Sequence, residues 1–599
     1  MHNSYLLTSQ QDKTAGLPLL RVSSVGGPLY LCGAMSVKLF ILASLVVATL
    51  LGYCSHNNNL SLHDFSRRRL NGGGHSYDFN QARELTIRLL SLIRSRYELH
   101  DSVGRNFFLT ANNMGENTWD IMKYKFALKV LKKETFVMVF GGSSVTAAHD
   151  NYYNESYPAI TQKRLSPILK VLGADLEARN IAQGANACLP YQLCYDSMGG
   201  LDPDWIGWEQ SYNCGRDESV FELAGRIAGF SANKAVLYFS ASGAWSPEKC
   251  SPSTDSVPYS SEEWTPEQAN LTRWNPSLQD IIKEKSLLNN FHKAKPSSSR
   301  FSGVLEGSAY KAVSPHGFNV WESNSLCEYI NKEGKHSTGC NGIDAAQQCK
   351  LKFMTHEAGM YGSGSYRGAS WHPTRAFHML RGESIAWLYG LVIFETIQML
   401  EDGLKKAKSE ELIAQYKAKL GILQPPLPKP SKCQKLMCDV RPTCYTDFRP
   451  HYEESLKLSK IIVGKTNWTY DPEVLGDWSI KYGYRDAKPI FIGTEKAGGE
   501  IHFQASIKHI GNMWVCGQIS QSLLNVTFFL DANVKLPSNV SDYIPSSNRV
   551  EWKKKKFVGN ECKELTGLPF GTHVITLATP QFHIHNKNHK SGLTHVITW

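Results

Sequence analysis

The sequence lacks the short motifs that announce the commonest enzyme chemistries. It has no Walker loop, no Gly-x-Gly-x-x-Gly dinucleotide fingerprint and no His-Glu-x-x-His zinc motif, so nothing points to nucleotide or metalloprotease chemistry. The Gly-x-Ser-x-Gly elbow of α/β hydrolases is also missing. No long-period repeat is visible, which leaves solenoids and propellers without support. Membrane-compatible runs are scarce: Leu39 to Cys54 is one, and its 16 residues fall short of the roughly 20 that a spanning helix takes. Charge of one sign does not dominate either. The net +11 comes from 65 basic and 54 acidic residues in a chain of 599. Its densest basic run, Lys553 to Lys556, reads as a solvated strand end, so nucleic acid is not an expected partner.

What is present suits a globular protein of the secretory route. With 42% hydrophobic and 11% aromatic residues the chain can build proper cores, and its length calls for two or three domains. Twelve of the 14 cysteines lie from Cys188 to Cys562, beyond the apolar run, an even number that suits disulfides in an oxidising compartment. Cys433, Cys438 and Cys444 have no nearby His and read as disulfide partners rather than zinc ligands; no metal and no cofactor is expected. Cys516 and Cys562, the two cysteines after residue 455, are expected to pair with each other. Sequons at Asn59, Asn154, Asn270, Asn467, Asn525 and Asn539 agree with this route.

The organisation follows from changes of texture. Residues 1–38 are a polar tail, and 39–54 a signal anchor or a cleaved signal peptide. Residues 55–80 are an Asn- and Gly-rich stem, 81–420 an α/β domain, 421–454 a Pro- and Cys-rich linker, and 455–599 an all-β sandwich. The expectation is therefore a single-pass membrane protein of the Golgi or cell surface with a lumenal catalytic part, or a secreted protein. Within 81–420, strands at 136–140, 176–182, 205–208 and 235–239 alternate with helices at 157–172 and 218–227. That alternation predicts a parallel sheet with helices on both faces. Residues 245–350 read as loop-rich, and 378–400 as a long apolar helix. Arg381, Glu383, Glu395 and Gln398 make that helix a packed core element rather than a membrane span.

The stretch FVMVFGGSSVTAAHD, Phe136 to Asp150, organises the whole. A buried strand stops at Gly141-Gly142, and Val145-Thr146 opens a run that can start a helix. The two serines thus sit at the carboxyl end of a sheet, where open α/β sheets put their ligands. A serine there is either a cap or a nucleophile needing a base, an orienter and oxyanion donors. Three later blocks supply candidates: Asn180-Ile-Ala-Gln-Gly184, the run from Asp204 to Asn213, and Trp371-His372-Pro373 before the long helix. His149, five residues after Ser144, reads as solvent-facing or capping, with a pocket-lining role as the alternative.

In these four blocks the chain resembles the SGNH hydrolases, the GDSL-like esterase superfamily. Their blocks carry, in order, a Ser, a Gly, an Asn and a His often followed by Pro, here Ser144, Gly184, Asn213 and His372. The resemblance spans about residues 130 to 400 and leaves the β region outside it. It implies a three-layer α/β/α domain in which Ser144 attacks an ester carbonyl and His372 takes its proton. The oxyanion would then be held by the N–H groups of Ser144 and Gly184 and by the Asn213 amide. It further implies a serine esterase that removes small acyl groups, acetyl foremost, from glycans or polysaccharides through an acyl-enzyme. A glycan O-acyltransferase using the same residues and a catalytically silent surface protein are the alternatives. Two departures stand out. Ser143 occupies a position where the family often has Asp, and Ser143 competes with Ser144 as nucleophile. Ala369 stands where the acid of the triad is usual, so that role falls to Glu357, to Asp344, to a backbone carbonyl or to none.

Overall fold

A computed structural model describes residues 77–97, 107–110, 112–149, 151–184, 186, 188–210, 218–241, 276–290, 314–322, 372, 375–433, 438–473, 483–494, 498–508, 511–518, 526–531, 534–536, 538–540, 560–579 and 590–599. The tail, the Leu39–Cys54 run and the stem up to residue 76 lie outside the described residues, as do Asn213, Asp344, Glu357 and Ala369. Among the described residues no helix is long and apolar enough to cross a membrane.

Residues Tyr77–Trp599 form one compact unit. It opens with helix α1 (Phe79–Tyr97), strand β1 (Asn112–Met114) and helix α2 (Thr118–Lys132). Strand β2 (Thr135–Gly142), helix α3 (Tyr157–Val171), β3 (Asp175–Asn180) and β4 (Trp205–Glu209) follow, then α4 (Glu218–Phe230) and β5 (Val236–Ala241). These match the strands and helices expected from the apolar pattern to within a few residues. α3 begins where Ser156 caps it, its Oγ accepting the Ala159 N–H. The loop-rich stretch holds more structure than its sequence suggests: α5 (Leu278–Leu287), β6 (Asn289–Asn290) and β7 (Phe318–Glu322). Helices α6 (Arg375–Leu404) and α7 (Ser409–Leu423) complete this part.

The seven strands form one sheet in the order β3-β2-β4-β5-β7-β1-β6. The first five run parallel, as the alternation requires, but β1 pairs antiparallel with β7, so the sheet is mixed at one edge. The cause is local. Gly115 N–H donates to Phe318 O, while Thr118 Oγ1 bonds both the carbonyl and the N–H of Phe318, pinning the start of α2 to β7 and turning β1 back.

Side chains alternate across the sheet, as a strand's period of two demands. Phe136, Met138 and Phe140 join one core with α1, α2, α3, α6 and α7, whereas Val137 and Val139 join a second with α4. The apolar helix α6 lies in the first core with Trp387, Leu391 and Ile397 wholly buried, which accounts for its hydrophobicity.

The remainder is antiparallel. Strands β8 (Thr443–Thr446), β13 (Met513–Gln518), β16 (Ser538–Val540), β17 (Asn560–Leu565) and β20 (His595–Thr598) make one five-stranded sheet. A second contains β9 (Ile462–Thr466), β12 (Gly499–Ile507), β14 (Thr527–Leu530), β15 (Val534–Leu536) and β18 (Gly571–Thr579). Strands β10 (Trp468–Asp471), β11 (Ile490–Thr494) and β19 (Lys590–Leu593) form a smaller third sheet. Alternation in β13 explains how this region attaches: Met513 and Val515 point into its own core, but Trp514 and Cys516 share a core with α4. The segment 421–454 is therefore more than a linker, since β8 lies within it. The repeated string Thr-His-Val-Ile-Thr falls in β18 and β20, which belong to different sheets. Cys516 and Cys562 sit opposite each other on β13 and β17 and form a disulfide, as do Cys194 and Cys444, and Cys433 and Cys438.

Candidate active site

The strand-to-turn junction is built by its glycines. A Cβ on Gly142 would lie 2.2 Å from Thr146 Oγ1, so only glycine lets the chain fold back there. No helix follows, contrary to the sequence-based expectation. Residues 144–149 form consecutive turns, with Ala147 N–H bonded to Ser143 O and His149 N–H to Ser144 O. Ala148 adopts φ 63°, which breaks the helical run before it can propagate; one short 3-10 turn (Tyr153–Glu155) intervenes, and the next α-helix starts at Tyr157.

The two serines are placed very differently. Ser143 is buried, and its hydroxyl donates to Glu209 Oε2 at 2.8 Å at the end of β4. The same oxygen accepts the Thr146 hydroxyl at 3.0 Å. Thr146 Oγ1 also meets the Tyr157 hydroxyl at 2.8 Å, and burial pushes that phenol up to about 12. Ser144 is half-buried, and neither its hydroxyl nor its N–H has a hydrogen-bond partner among the described residues.

The residue whose N–H donates to the Ser144 carbonyl, His149, carries one half of an imidazole–carboxylate pair. His149 Nε2 lies 2.8 Å from Asp486 Oδ2, and its ring stacks on Tyr484 at 4.8 Å between centroids. Asp486 Oδ2 also accepts the Gly184 N–H at 2.9 Å, while Lys488 Nζ donates to the Gly184 carbonyl. The N–H and the carbonyl of Gly184, on the two peptide bonds that flank its Cα, are thus both held by side chains two residues apart in the β region. Burial alone would raise the Asp486 carboxyl; His149 foremost, then Lys488 and the Gly184 N–H, outweigh it and hold the carboxyl below its ordinary value. Burial pulls the Lys488 ammonium down, against the opposing attraction of Asp486 and Glu473.

Gly184 also has a packing reason to be glycine. A Cβ there would stand 2.1 Å from His149 Cε1. The His372 ring approaches the same imidazole in a T-shaped contact, with centroids 5.8 Å apart. It is buried just ahead of α6.

Beneath lies a layer around Arg381. Its guanidinium carbon sits 4.1 Å above the Tyr157 ring and 5.8 Å from the Trp321 ring; the guanidinium also acts on the Tyr238 phenol, but none of its nitrogens reaches a partner in good hydrogen-bond geometry among the described residues. His378 accepts the Tyr157 N–H at Nδ1. Burial first, then Arg381 and His372, push its pKa down to about 3, so it is a neutral acceptor.

The structure therefore gathers Ser144, Gly184 and His372 at the carboxyl end of the sheet, whereas Asn213, Glu357 and Asp344 lie outside the described residues. His149 belongs to this cluster instead of facing solvent. Glu209 and Asp486 were not anticipated. Glu209 stood in view at the end of a predicted strand; Asp486 is 337 residues from His149 and nothing local marks it. Among the described residues no group of three or more His, Cys, Asp or Glu is arranged to hold a metal ion.

No family model matches this chain, and no curated protein matches it. Among solved structures, one crystal structure of a two-domain esterase (CEX) active on acetylated mannans is similar over 81% of this chain and 96% of its own, at 13% identity and TM-score 0.36. A second, co-crystallised with mannopentaose, gives 12% identity, 82% and 96% coverage and TM-score 0.37. A tail fiber protein from an E. coli phage is similar at 8% identity over 79% of this chain and 48% of its own, with TM-score 0.22. All three are distant likenesses.

Proposed function

We propose that this chain is a serine ester hydrolase of the SGNH type, acting on small acyl esters, acetyl foremost, of glycans or polysaccharides. The observation that carries the proposal is the setting of Ser144: a half-buried hydroxyl without a partner among the described residues, on the turn whose His149 N–H donates to the Ser144 carbonyl and whose His149 ring meets Asp486 and His372. Its neighbour Ser143 is committed to Glu209, which favours Ser144 as the nucleophile. In the reaction Ser144 Oγ bonds to the acyl carbon, and its proton passes to His372. That proton then leaves with the sugar hydroxyl as the ester C–O bond breaks, and water reverses the sequence to free the acid. The Ser144 N–H is a ready donor to the oxyanion, and one such donor contributes about 2.7–4 kcal/mol to transition-state stabilisation. Asn213 would supply a second.

One observation favours another reading, glycan binding without turnover: the Gly184 N–H is already taken by a carboxylate. A serine-directed phosphonate and an activated acetyl ester separate the two. Labelling at Ser144, lost with hydrolysis in Ser144→Ala, supports the esterase; a folded protein that does neither is a binder.

The secretory assignment and membrane attachment through Leu39–Cys54 stand as part of this proposal. Asn154 and Asn467 are exposed. Glycosidase treatment of protein from a eukaryotic host should increase its gel mobility, and absence of any N-glycan would remove the lumenal assignment.

A further inference from the structure

The proposed chemistry leaves one role open. A base in a serine hydrolase is normally steadied by a carboxylate, and the position three residues before His372 holds Ala369. Two buried carboxylates reach the cluster from described residues, Glu209 and Asp486. Glu209 is occupied by the hydroxyls of Ser143 and Thr146 and by the Ser143 N–H, and it builds the turn. Asp486 alone of the two is paired with an imidazole.

We propose that Asp486, supplied by the C-terminal β region, is the acid of this site and acts as a positioning residue through His149. The proposal rests on Ser144 being the nucleophile. Its geometry has three parts. First, a carboxylate facing Nε2 selects the tautomer with a proton on that nitrogen and fixes the ring plane. Second, the His149 ring so fixed is wedged between Tyr484, the Cα of Gly184 and the edge-on ring of His372, so its orientation sets theirs. Third, the negative charge lies one ring away from His372, where it favours the imidazolium formed when Ser144 gives up its proton.

The surroundings suit an anion that stays charged. Asp486 faces His149 from the turn after β2, the Gly184 N–H from the loop after β3, Lys488 from its own segment, and the phenols of Tyr153 and Tyr191. Cations and donors outweigh the burial, and the carboxylate is only 7% exposed. Arg485 is turned aside onto the Tyr153 ring, 4.6 Å from its centroid. The β region is then part of the catalytic unit rather than an appended binding module. Two further links hold it there, the Cys194–Cys444 disulfide and the bond from Gln183 Nε2 to Arg449 O at 2.6 Å.

The test uses the full chain, a fluorophosphonate and p-nitrophenyl acetate. Asp486→Asn keeps an acceptor for the Gly184 N–H but removes the charge. It should lower kcat by about 10²-fold, the usual scale for a perturbed proton-transfer unit, and leave KM within about twofold. Because the substitution removes a fixed negative charge one ring away from the proposed base, the acidic limb of the kcat/KM profile should move. Asp486→Glu should recover part of the rate. His149→Gln should cost a similar factor, and the double variant no more than the worse single, since the two act in series. Wild-type kinetics and an unmoved pH profile in folded Asp486→Asn would overturn the proposal, as would multiplicative losses in the double variant. If Asp486→Asn does not fold, His149→Gln decides by the same profile: an unmoved acidic limb overturns the proposal, and a shifted one supports it. Wild-type protein that never labels at Ser144 would instead sink the esterase reading itself.

Discussion

The hydroxyl of Ser143 donates to Glu209 Oε2 at 2.8 Å, joining the turn after β2 to the end of β4. Ser143 is therefore held as a strut beside a freer Ser144. Ser143→Ala leaves a buried carboxylate short of one donor, a loss that typically costs about 1–3 kcal/mol. The expected result is a lower melting temperature with phosphonate labelling intact. Ser144→Ala should melt as the wild type does and take no label. Unfolding scans run beside labelling distinguish the two, and a reversed pattern would move the nucleophile to Ser143.

Gly184 and His149 are coupled by contact, so their variants should not add. A methyl group on Gly184 would meet His149 Cε1 at 2.1 Å, forcing the ring away from Asp486 or the loop away from β3. Gly184→Ala should cost about 1–3 kcal/mol through overpacking. In a His149→Ala background that clash is gone, and the added alanine should cost little. A double-mutant cycle by chemical denaturation reads the coupling. Additive losses would mean that the loop, not the ring, is what a Cβ disturbs.

Much of this arrangement was legible in the sequence, and the limit of legibility has a physical cause. The runs at 136–140, 205–208 and 235–239 are buried on both faces, so their apolar character is continuous and survives any tertiary context. The serines and Gly184 could be placed because they sit where such strands end. His372 could be placed because Pro373 and a long apolar helix follow it. β7 escaped notice because Gly317, Asn319 and the preceding polar stretch interrupt its pattern. The missing helix after Ser144 turned on a left-handed Ala148, which no propensity favours. Asp486 was invisible for a different reason: its partners His149 and Gly184 lie 337 and 302 residues away in sequence, and no local pattern around residue 486 marks such contacts.

Arg381 offers a test of energetics away from the reacting atoms. It is 1% exposed, stacked on Tyr157 and close to the Tyr238 phenol, and none of its guanidinium nitrogens reaches a partner in good hydrogen-bond geometry among the described residues. A buried cation with so few well-aligned hydrogen bonds is costly, and cation–π contact returns only about 0.5–2 kcal/mol. Arg381→Met, similar in length and uncharged, should leave the melting temperature unchanged or raise it, as replacement of buried ionic groups often does. Arg381→Lys keeps a charge but loses the planar stack and should melt lower. If the Met variant loses more than about 2 kcal/mol, the guanidinium must be stabilised by more than the two rings.

Among the described residues burial lowers the pKa of four histidines, His316, His378, His451 and His595, and they bear on how the protein responds to acid. His378 and His595 are pushed down to about 3, and His316 to about 4. In the unfolded chain each titrates near 6.5. Between about 6.5 and the folded value the unfolded state binds more protons, so stability is complete above pH 6.5 and falls as the pH drops toward 4. Each residue contributes a slope of up to about 1.4 kcal/mol per pH unit in that window. Asp486, whose carboxyl is held low, adds its own loss further down, beginning near the ordinary carboxylate range. The transition should therefore begin to weaken near pH 6.5, about two units above the onset expected from carboxylates alone. His595 is the cleanest to remove, since it contacts the Phe448 ring and the Thr594 hydroxyl far from Ser144 in sequence. Denaturant midpoints for His595→Gln and wild type, measured from pH 4.5 to 7.5, should converge toward acid and diverge toward neutrality. Parallel curves would mean that His595 is charged in the folded protein and that its burial is not what governs its proton.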